Sequence, residues 1–327
     1  WLNTTSGELF SCTDATTDAN VWTNIGAGTG DVQPWIYQGT QYGYTSGSGD
    51  PTAAPAGTAI EKHSYTSDGN ATDHADLAAT RASNAGHSSA THGYVSGGGG
   101  ANHFIEKFVF SSGANSVNTG FQLSTGDVSR NGIGTTSTET HGYCAGGTST
   151  NVIDRFSYST DGTATDVGDL LNAQVYNAGA SSKTHGYNMG GVVSSDINVI
   201  QKFAFGSSAN ATDVGDLTTI CNGPTGHQSS THGYKAGGSG NGTYATGADS
   251  IQKFTFASDA NSTNVGTTTV GRFQHASGSS TTHGYASGGL SGGSGNVIEK
   301  FLFASDSNAT DVGDLVISRS YLCGQQY

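Results

Sequence analysis

The sequence contains 327 residues, including 51 glycines, and its 25 acidic against 12 basic side chains give a formal net charge of −13. Ten of the 12 Lys and Arg residues recur at equivalent positions of an internal repeat, so no basic patch is left for nucleic-acid phosphates or anionic lipid headgroups. No segment is apolar enough to span a membrane.

Residues 1–33 predict a small β-hairpin module. Trp1–Phe10 and Asn20–Gly26 are read as two strands, separated by a turn that is rich in Asp and Thr. No signal peptide is recognisable, and the first residue is not Met, so we expect a processed chain or a piece of a longer protein.

Residues 34–327 are built from a repeat. The phrase Thr-His-Gly-Tyr occurs five times, and an altered sixth copy reads Gln-Tyr-Gly-Tyr. Their tyrosines lie 44 to 51 residues apart, at Tyr44, Tyr94, Tyr143, Tyr187, Tyr234 and Tyr285. This period indicates one supersecondary unit repeated six times, with neighbours burying each other's faces. The Gly- and Thr-rich composition with regular turn signals indicates an all-β sandwich, barrel or propeller.

Each repeat contains four short segments of β character, which is the usual size of a propeller blade. In the second unit they are Gly86–Ser89, His92–Gly98, Phe104–Phe110 and Asn115–Leu123. Alternation in the third segment places an isoleucine and a cation on one face, and an acid or amide with two aromatics on the other. Because both faces of a propeller sheet are covered, we expect each cation to find a carbonyl or carboxylate in the neighbouring blade.

The fourth segment carries recurring aspartates, such as Asp311 and Asp314. On the outermost strand of a blade, such charges discourage edge-to-edge pairing, which explains them without a ligand. The alternative is a Ca²⁺ ion bound by turns such as Asp306–Asp311, because Ca²⁺ takes oxygen ligands. The EF-hand calcium-loop pattern is absent. We therefore predict no metal site and no cofactor, with Ca²⁺ as the alternative.

Eight polar residues recur in the phrase and in the first strands: His92, His141, His185, His232 and His283, then His87, His227 and Gln325. One imidazole per blade is too widely spaced for a single metal ion, so we predict hydrogen bonds between blades for all of them. The four cysteines lack metal-ligand spacing and are predicted to be free, buried thiols. No catalytic residue is predicted.

The second unit shows an ordered set of motifs: Arg81, then Tyr94 followed by Gly97-Gly98, then the strand Ile105–Phe108. This order resembles the kelch repeat, and the resemblance extends over about residues 34–327, although the usual Trp of the fourth strand is absent. Kelch proteins form β-propellers, so the resemblance implies a six-bladed propeller with four antiparallel strands per blade. It says little about activity, because the fold hosts many functions.

The ends of the repeat indicate how the ring closes. Arg319–Gln325 aligns with Arg81–His87, the first strand of a blade. We therefore predict that the C-terminal strand completes the first blade, with Trp35–Tyr37 as the competing segment.

The N-terminal hairpin resembles a short Trp-flanked module of bacteriophage tail-fibre and virion proteins, and the propeller resembles kelch-like phage proteins. This resemblance implies a non-enzymatic virion protein, in a tail fibre, spike or capsid appendage, with other virion subunits and further copies of itself as partners. Its location is then the virion or the extracellular space. A cell-surface adhesin or filament subunit is the alternative. A secreted copper oxidase or glycan-processing enzyme is disfavoured, because no non-repeating Tyr/His/Cys cluster or acid pair is visible.

The variable parts of the repeat are the loops between second and third strands. Loops on a rigid scaffold commonly carry binding residues. Tyr244 and His103 are the aromatic-type residues in these loops. They are the predicted binding residues, for a host-surface glycan.

Overall fold

The computed structural model describes residues 1–3, 8–25, 37–48, 57–99, 104–124, 130–160, 162–240, 248–291 and 295–327. These ranges form strands and turns and contain no helix. The chain divides into two compact units, Trp1–Tyr37 and Gln38–Tyr327. The predicted boundary between residues 33 and 34 falls outside the described residues.

The N-terminal unit contains the predicted hairpin. Strand β1 (Phe10–Asp14) pairs antiparallel with β2 (Val21–Asn24). The carboxylate of Asp14 caps the turn between them, because it accepts hydrogen bonds from the backbone N–H and the hydroxyl of Thr16 at 2.9 and 2.6 Å. This Asp- and Thr-rich turn is the one that the sequence indicates.

The first strand of the hairpin differs from the prediction in its bounds. Trp1 does not extend toward Phe10 in one strand. Instead the two residues exchange backbone hydrogen bonds of 2.9 and 2.8 Å, and their rings lie 5.3 Å apart. The chain therefore doubles back before β1, and the buried Phe10 side chain packs against Trp1.

The second unit is a propeller of six four-stranded antiparallel sheets. Blade 1 begins with β3 (Tyr42–Ser46), β4 (Ala59–Ser64) and β5 (Thr72–Asp76). Blade 2 contains β6 (Ala85–Ser88), β7 (His92–Ser96), β8 (Phe104–Val109) and β9 (Val117–Gln122). Blade 3 contains β10 (Gly134–Ser137), β11 (His141–Ala145), β12 (Val152–Ser157) and β13 (Thr165–Asp169).

The remaining blades follow the same order. Blade 4 contains β14 (Ala178–Ser181), β15 (His185–Met189), β16 (Ile197–Ala204) and β17 (Thr212–Cys221). Blade 5 contains β18 (Thr225–Gln228), β19 (His232–Ala236), β20 (Ser250–Thr255) and β21 (Thr263–Thr267). The short strands β22 (Arg272–Phe273) and β25 (Leu290–Ser291) pair beside blade 6, which contains β23 (Ala276–Ser279), β24 (His283–Ser287), β26 (Val297–Leu302) and β27 (Thr310–Asp314).

The last strand closes the ring. Strand β28 (Cys323–Gln326) pairs antiparallel with β3, with Gln325 opposite Tyr44. Blade 1 therefore takes its innermost strand from the C-terminus and its other three strands from the beginning of the repeat. The two ends of the propeller cannot separate without breaking this sheet.

Aromatic rings hold successive blades together. The tyrosine of each of the five Thr-His-Gly-Tyr phrases, and Tyr44 of the altered copy, lies against the second aromatic of the next blade's third repeat segment, with ring centroids 4.4 to 4.9 Å apart. The pairs are Tyr44–Phe110, Tyr94–Tyr158, Tyr143–Phe205, Tyr187–Phe256, Tyr234–Phe303 and Tyr285–Tyr65. Each pair contributes about 0.5–1.5 kcal/mol beyond the area that it buries.

Three of the strand cations find the predicted partner in the next blade. Lys253 pairs with Asp306 at 2.6 Å, and the Lys253 side chain is 24% exposed. The equivalent pairs are Lys202–Asp259 and Lys300–Asp68. For these three blades the expectation of a carboxylate in the neighbouring blade is confirmed.

Four blades contain a buried ion pair that joins the residue before the first strand to the acid of the third strand. Arg81 donates to Glu106 through Nε at 3.0 Å and Nη2 at 2.8 Å, and through Nη1 to the carbonyls of Gly97 and Phe104. Both charged side chains are at most 1% exposed. The equivalent pairs are Arg130–Asp154, Arg272–Glu299 and Arg319–Glu61.

Blades 4 and 5 fill this position without an ion pair. In blade 4, Gln201 Nε2 donates to Gln174 Oε1 at 2.7 Å. In blade 5, Cys221 stands where four blades have arginine. The buried ammonium of Lys235, from the second strand, donates to the carbonyl and hydroxyl of Ser250 at 3.3 and 2.8 Å.

Candidate functional site

The two predicted binding residues, Tyr244 and His103, lie outside the described residues. The described part of one such loop lies beside the segment that leads into a first strand, because Gly99 donates to the carbonyl of Ala82 at 2.8 Å. These entry segments surround the propeller axis, at the same end as the loops between second and third strands. The residues around the axis at this end therefore belong to the predicted binding face, and they are among the described residues.

A closed ring of backbone hydrogen bonds surrounds the axis at this end. Each blade contributes the residue two positions before its first strand, and its N–H donates to the equivalent carbonyl of the preceding blade at 2.8 to 3.0 Å. These residues form the mouth ring: Ser83, Gly132, Tyr176, Gly223, Gln274 and Tyr321. Because every blade both donates and accepts one of these bonds, the six backbone segments are held together in a closed ring.

Every residue of the mouth ring has a left-handed backbone, with φ between 54° and 64°. Only two of the six are glycine, the residue that adopts this conformation without cost. For Ser83, Tyr176, Gln274 and Tyr321 the conformation costs about 1–3 kcal/mol each. Such strain persists where the surroundings enforce it, and it concentrates at functional sites.

In each blade the residue that directly follows the mouth-ring residue belongs to a second ring, the lining ring. Around the axis from blade 1 to blade 6, its members alternate strictly between apolar and polar side chains: Leu322, Asn84, Ile133, Asn177, Pro224 and His275. Asn84, Asn177 and His275 are only 6%, 6% and 2% exposed. Three of the six blades thus place a buried polar side chain at an equivalent position where the other three place an apolar one.

The polar members of the lining ring have unused hydrogen-bonding atoms. Within the described residues, both amide atoms of Asn84, Oδ1 of Asn177 and Nδ1 of His275 have no hydrogen-bond partner. Oε1 of Gln274, in the mouth ring, is in the same state. Buried polar atoms are nearly always paired, and each missing bond costs about 1–3 kcal/mol. These atoms therefore require water or a ligand in the adjoining space.

That space exists. A cavity of ≈ 70 Å³ is lined by both rings. A second cavity, of ≈ 80 Å³, continues from the lining ring along the first strands, past Gly86, Thr135 and Gly179. Glycine is needed there, since a Cβ on Gly179 would stand only 2.0 Å from the carbonyl oxygen of Thr135 in the preceding blade. The two cavities share the six residues of the lining ring.

Among the described residues, the side chains that line the first cavity include no Asp, Glu, Lys or Arg. Burial holds the pKa of His275 well below its ordinary 6.5, and the positive charges of Arg272 and Lys235 nearby act in the same direction. Its imidazole is therefore neutral at neutral pH, with Nε2 2.6 Å from the hydroxyl of Thr225.

The opposite end of the first strands shows the contrasting case. There the backbone N–H of one blade donates to the side-chain oxygen of the next, as in Gln228 to Ser279 at 3.1 Å and Ser279 to Gln326 at 2.7 Å. The same bond recurs from Ser137 to Ser181 and from Gln326 to Ser88. Polar groups at that end satisfy one another, whereas those at the mouth do not.

The five phrase histidines have a different partner from the one we predicted. Nδ1 of each lies 2.8 Å from Oγ1 of the threonine that precedes it, within the same turn. The prediction of a bond between blades is therefore wrong for this atom. The cause is the turn itself: in the first copy, Ser89 accepts from the backbone N–H of Thr91 and of His92, which brings hydroxyl and imidazole together.

For the first-strand histidines the predicted bonds between blades are confirmed. Nδ1 of His227 lies 3.0 Å from the carbonyl oxygen of Gly278 in the next blade, and Gln325 Nε2 donates to the carbonyl of Tyr94 at 3.3 Å. His87 Nδ1 lies 3.4 Å from the Thr136 carbonyl. Burial lowers the pKa of His87 and His227 to about 4. These imidazoles are neutral links between blades.

The buried thiols have raised pKa values. Cys144 Sγ lies 3.4 Å from His87 Nε2, but burial raises the pKa of the thiol to about 12 while it lowers that of the imidazole. A thiolate nucleophile needs the opposite shift. All four cysteines are free, as predicted, but burial is confirmed only for Cys144, Cys221 and Cys323. It is wrong for Cys12, which is exposed on β1 of the two-stranded hairpin.

The oxygens of the proposed calcium turn have partners of their own. Asp306 pairs with Lys253, Asn308 Oδ1 accepts from the backbone N–H of Thr267 at 3.1 Å, and Asp311 accepts from Gly313 at 3.1 Å. Across the described ranges, no group of three or more His, Cys, Asp or Glu side chains is placed to hold a metal ion.

The asparagine of this turn has a role that the sequence did not reveal. Asn70, Asn115, Asn210 and Asn261 accept an equivalent hydrogen bond from the fourth strand of the preceding blade. The recurring Asn is thus a link between neighbouring blades at the rim.

Comparison with protein-family models finds no match to this chain, and no curated protein has a matching sequence. In the described part of the chain no helix is long and apolar enough to cross a membrane.

Proposed function

We propose that this chain is a non-catalytic, kelch-type structural and binding propeller of a bacteriophage particle, in a tail fibre, spike or capsid appendage. The proposal that the chain is non-catalytic rests on one observation: its repeated polar groups bond to one another or to the backbone. The buried arginines, first-strand histidines and rim asparagines are engaged within or between blades, and burial shifts the imidazoles and thiols toward their neutral forms.

The virion part of the proposal rests on the sequence. The Trp-flanked hairpin and the propeller each resemble segments of phage virion proteins, and the two occur here in one chain. The structure fits such a role in a physical sense, since the blade-to-blade bonds, the stacked aromatics and the shared blade 1 make a rigid support. A rigid scaffold lowers the entropy cost of presenting a binding face.

Host-surface glycan is the proposed ligand of the loop face. An uncharged, hydrogen-bonding surface suits carbohydrate, and a net charge of −13 disfavours nucleic acid and anionic membrane. Other virion subunits and copies of the chain itself are the proposed protein partners.

The decisive experiment is quantitative mass spectrometry of purified phage particles, together with immunogold labelling by an antibody against the propeller. We expect the chain at a fixed copy number per particle and the label at a defined appendage. A chain that is missing from particles and found at the surface of cells would instead indicate the adhesin or filament subunit. Copper in the purified protein, with oxidase activity, would indicate the enzyme.

A further inference from the structure

We propose that the mouth ring and the lining ring together form a subsite for a single uncharged sugar unit, the terminal residue of a neutral glycan. This inference rests on the proposed glycan-binding function and gives it a location. It places recognition at the propeller axis, in addition to or instead of the loop residues Tyr244 and His103.

The first support is the set of unpaired atoms. Asn84 offers a donor and an acceptor, Asn177 an acceptor and His275 a ring nitrogen, and all three side chains are more than nine-tenths buried. Sugar hydroxyls both donate and accept, so one ring can pair with this mixed set. A site that holds such groups unpaired is prepared to bind a polar ligand, and it discriminates strongly against ligands that lack the matching group.

The second support is the comparison among blades. The lining ring tolerates Leu322, Ile133 and Pro224 at equivalent positions, so the fold itself does not require a polar side chain there. Asn177 Nδ2 donates to the carbonyl of Ala145 in the preceding blade at 3.4 Å, but its Oδ1 has no partner, and neither amide atom of Asn84 has one. These three unpaired atoms lower stability without joining the blades, and a ligand explains their presence.

The third support is the shape of the opening. Tyr176 belongs to blade 4 and Tyr321 to blade 1, so the two tyrosines of the mouth ring stand on opposite sides of the six-bladed axis. A pyranose has an apolar face of C–H groups and a polar rim of hydroxyls. Aromatic walls with a few converging polar groups are the usual composition of a small-molecule site.

Charge restricts the ligand further. The lining side chains of the described residues carry no ionised group, and the chain has a net charge of −13. An acidic sugar would find no positive side chain to pair with in the described part of the lining, which is costly. We therefore assign the site to neutral hexoses rather than to sialic or uronic acids.

The test uses the full chain and two kinds of probe. Saturation-transfer NMR with methyl glycosides of glucose, galactose and mannose would detect the terminal unit, and an array of neutral and acidic oligosaccharides would give selectivity. We expect neutral probes to bind and acidic ones not to bind. Absence of binding to every neutral probe, or binding to acidic probes alone, would overturn the proposal.

Two substitutions copy residues that the lining ring already contains. The variant Asn84→Leu, Asn177→Leu should reduce binding of the neutral probe by at least tenfold. The single variant Asn84→Leu removes an amide with no partner, so it should weaken binding while its melting temperature stays equal or rises. The matched control is Asn222→Leu, next to the mouth ring but outside the cavity, which should leave binding unchanged. A fall in the melting temperature of Asn84→Leu that accompanies lost binding would show a structural role and would also overturn the proposal.

The two proposals fail in different ways. If Tyr244→Ala abolishes binding and the Asn84→Leu, Asn177→Leu variant binds normally, the axial subsite is wrong and the loop-face glycan site stands. If the chain is missing from phage particles but still binds a neutral sugar at the mouth, the virion function is wrong and the subsite stands.

Discussion

Blades 2 and 4 occupy equivalent places in the ring, but they join first strand to third strand with different chemistry. In blade 2 a guanidinium meets a carboxylate, and in blade 4 one amide meets another. Both arrangements are buried, and both span the same two elements. In these two blades the two positions keep a donor–acceptor match, and either both partners are charged or neither is.

Blade 5 extends the comparison. Its third strand carries Gln252 in place of the acid, and its arginine is replaced by Cys221. Lys235 supplies a cation from the second strand instead, and it donates to the same backbone carbonyl position that Arg81 reaches in blade 2, here Ser250. Its hydrogen bonds go to the neutral oxygens of Ser250, which stabilise a buried charge less than the carboxylates of the arginine-containing blades do.

The largest effect is expected where one member of a matched pair is removed. Glu106→Gln leaves the buried guanidinium of Arg81 without a counter-charge, and we expect a loss of about 3–5 kcal/mol in the free energy of unfolding. Urea denaturation at neutral pH measures it. The comparison variant is Gln201→Met in blade 4, which leaves two neutral groups, Gln174 Oε1 and the backbone N–H of Leu171, without their partner and should cost only about 1–3 kcal/mol. Equal losses in the two blades would contradict the comparison.

The sequence predicted the features that depend on repeated residue types, and it did not predict those that depend on a repeated backbone conformation. The spacing of the tyrosines predicted six units, and strand alternation predicted the partners of Lys202, Lys253 and Lys300, because both depend on periodic side chains. The mouth ring was not predicted. Its members share a left-handed backbone rather than a residue type. Serine, glycine, tyrosine and glutamine at one position of the repeat do not look like a repeated feature. The useful signal was one position further on, where apolar and polar residues alternate from blade to blade.

The next largest effect on stability is expected at the position in the first strand that is His87 in blade 2 and Gln325 in blade 1. Burial lowers the pKa of His87 from 6.5 to about 4, so between these pH values the unfolded chain binds a proton that the folded chain does not. Stability therefore falls as pH falls through this window. His87→Gln should remove about 3 kcal/mol of that loss at pH 4. Urea midpoints at pH 7 and pH 4.5 test this, and parallel acid losses in the two proteins would refute it.

A smaller effect is expected at Lys235 in blade 5. Burial lowers its pKa below the ordinary 10.5, so the folded state carries an electrostatic cost at neutral pH. Lys235→Met should be neutral to about 2 kcal/mol more stable at pH 7. The sign of its pH dependence follows from linkage: the unfolded chain binds the extra proton up to pH 10.5, so wild-type stability gains on the variant as pH rises. A constant difference between pH 7 and pH 10 would show that Lys235 titrates normally.

The smallest net effect is expected from exchanging the chemistry of blade 4 for that of blade 2. Gln174→Arg alone buries an unmatched guanidinium and Gln201→Glu alone an unmatched carboxylate, so each should cost about 3 kcal/mol or more. Together they recreate the arginine–acid pair, whose attraction offsets most of the desolvation, and the double variant should lie within about 1 kcal/mol of wild type. Unfolding of all four proteins gives the coupling energy, because the residues are in contact and their effects do not add. A double variant as unstable as the sum of its singles would mean that blade 4 has lost the geometry for an ion pair, and that its amides are more than a neutral substitute. Asn188, whose Oδ1 accepts from Gln174 Nε2 at 2.6 Å, is the neighbour that would then be responsible.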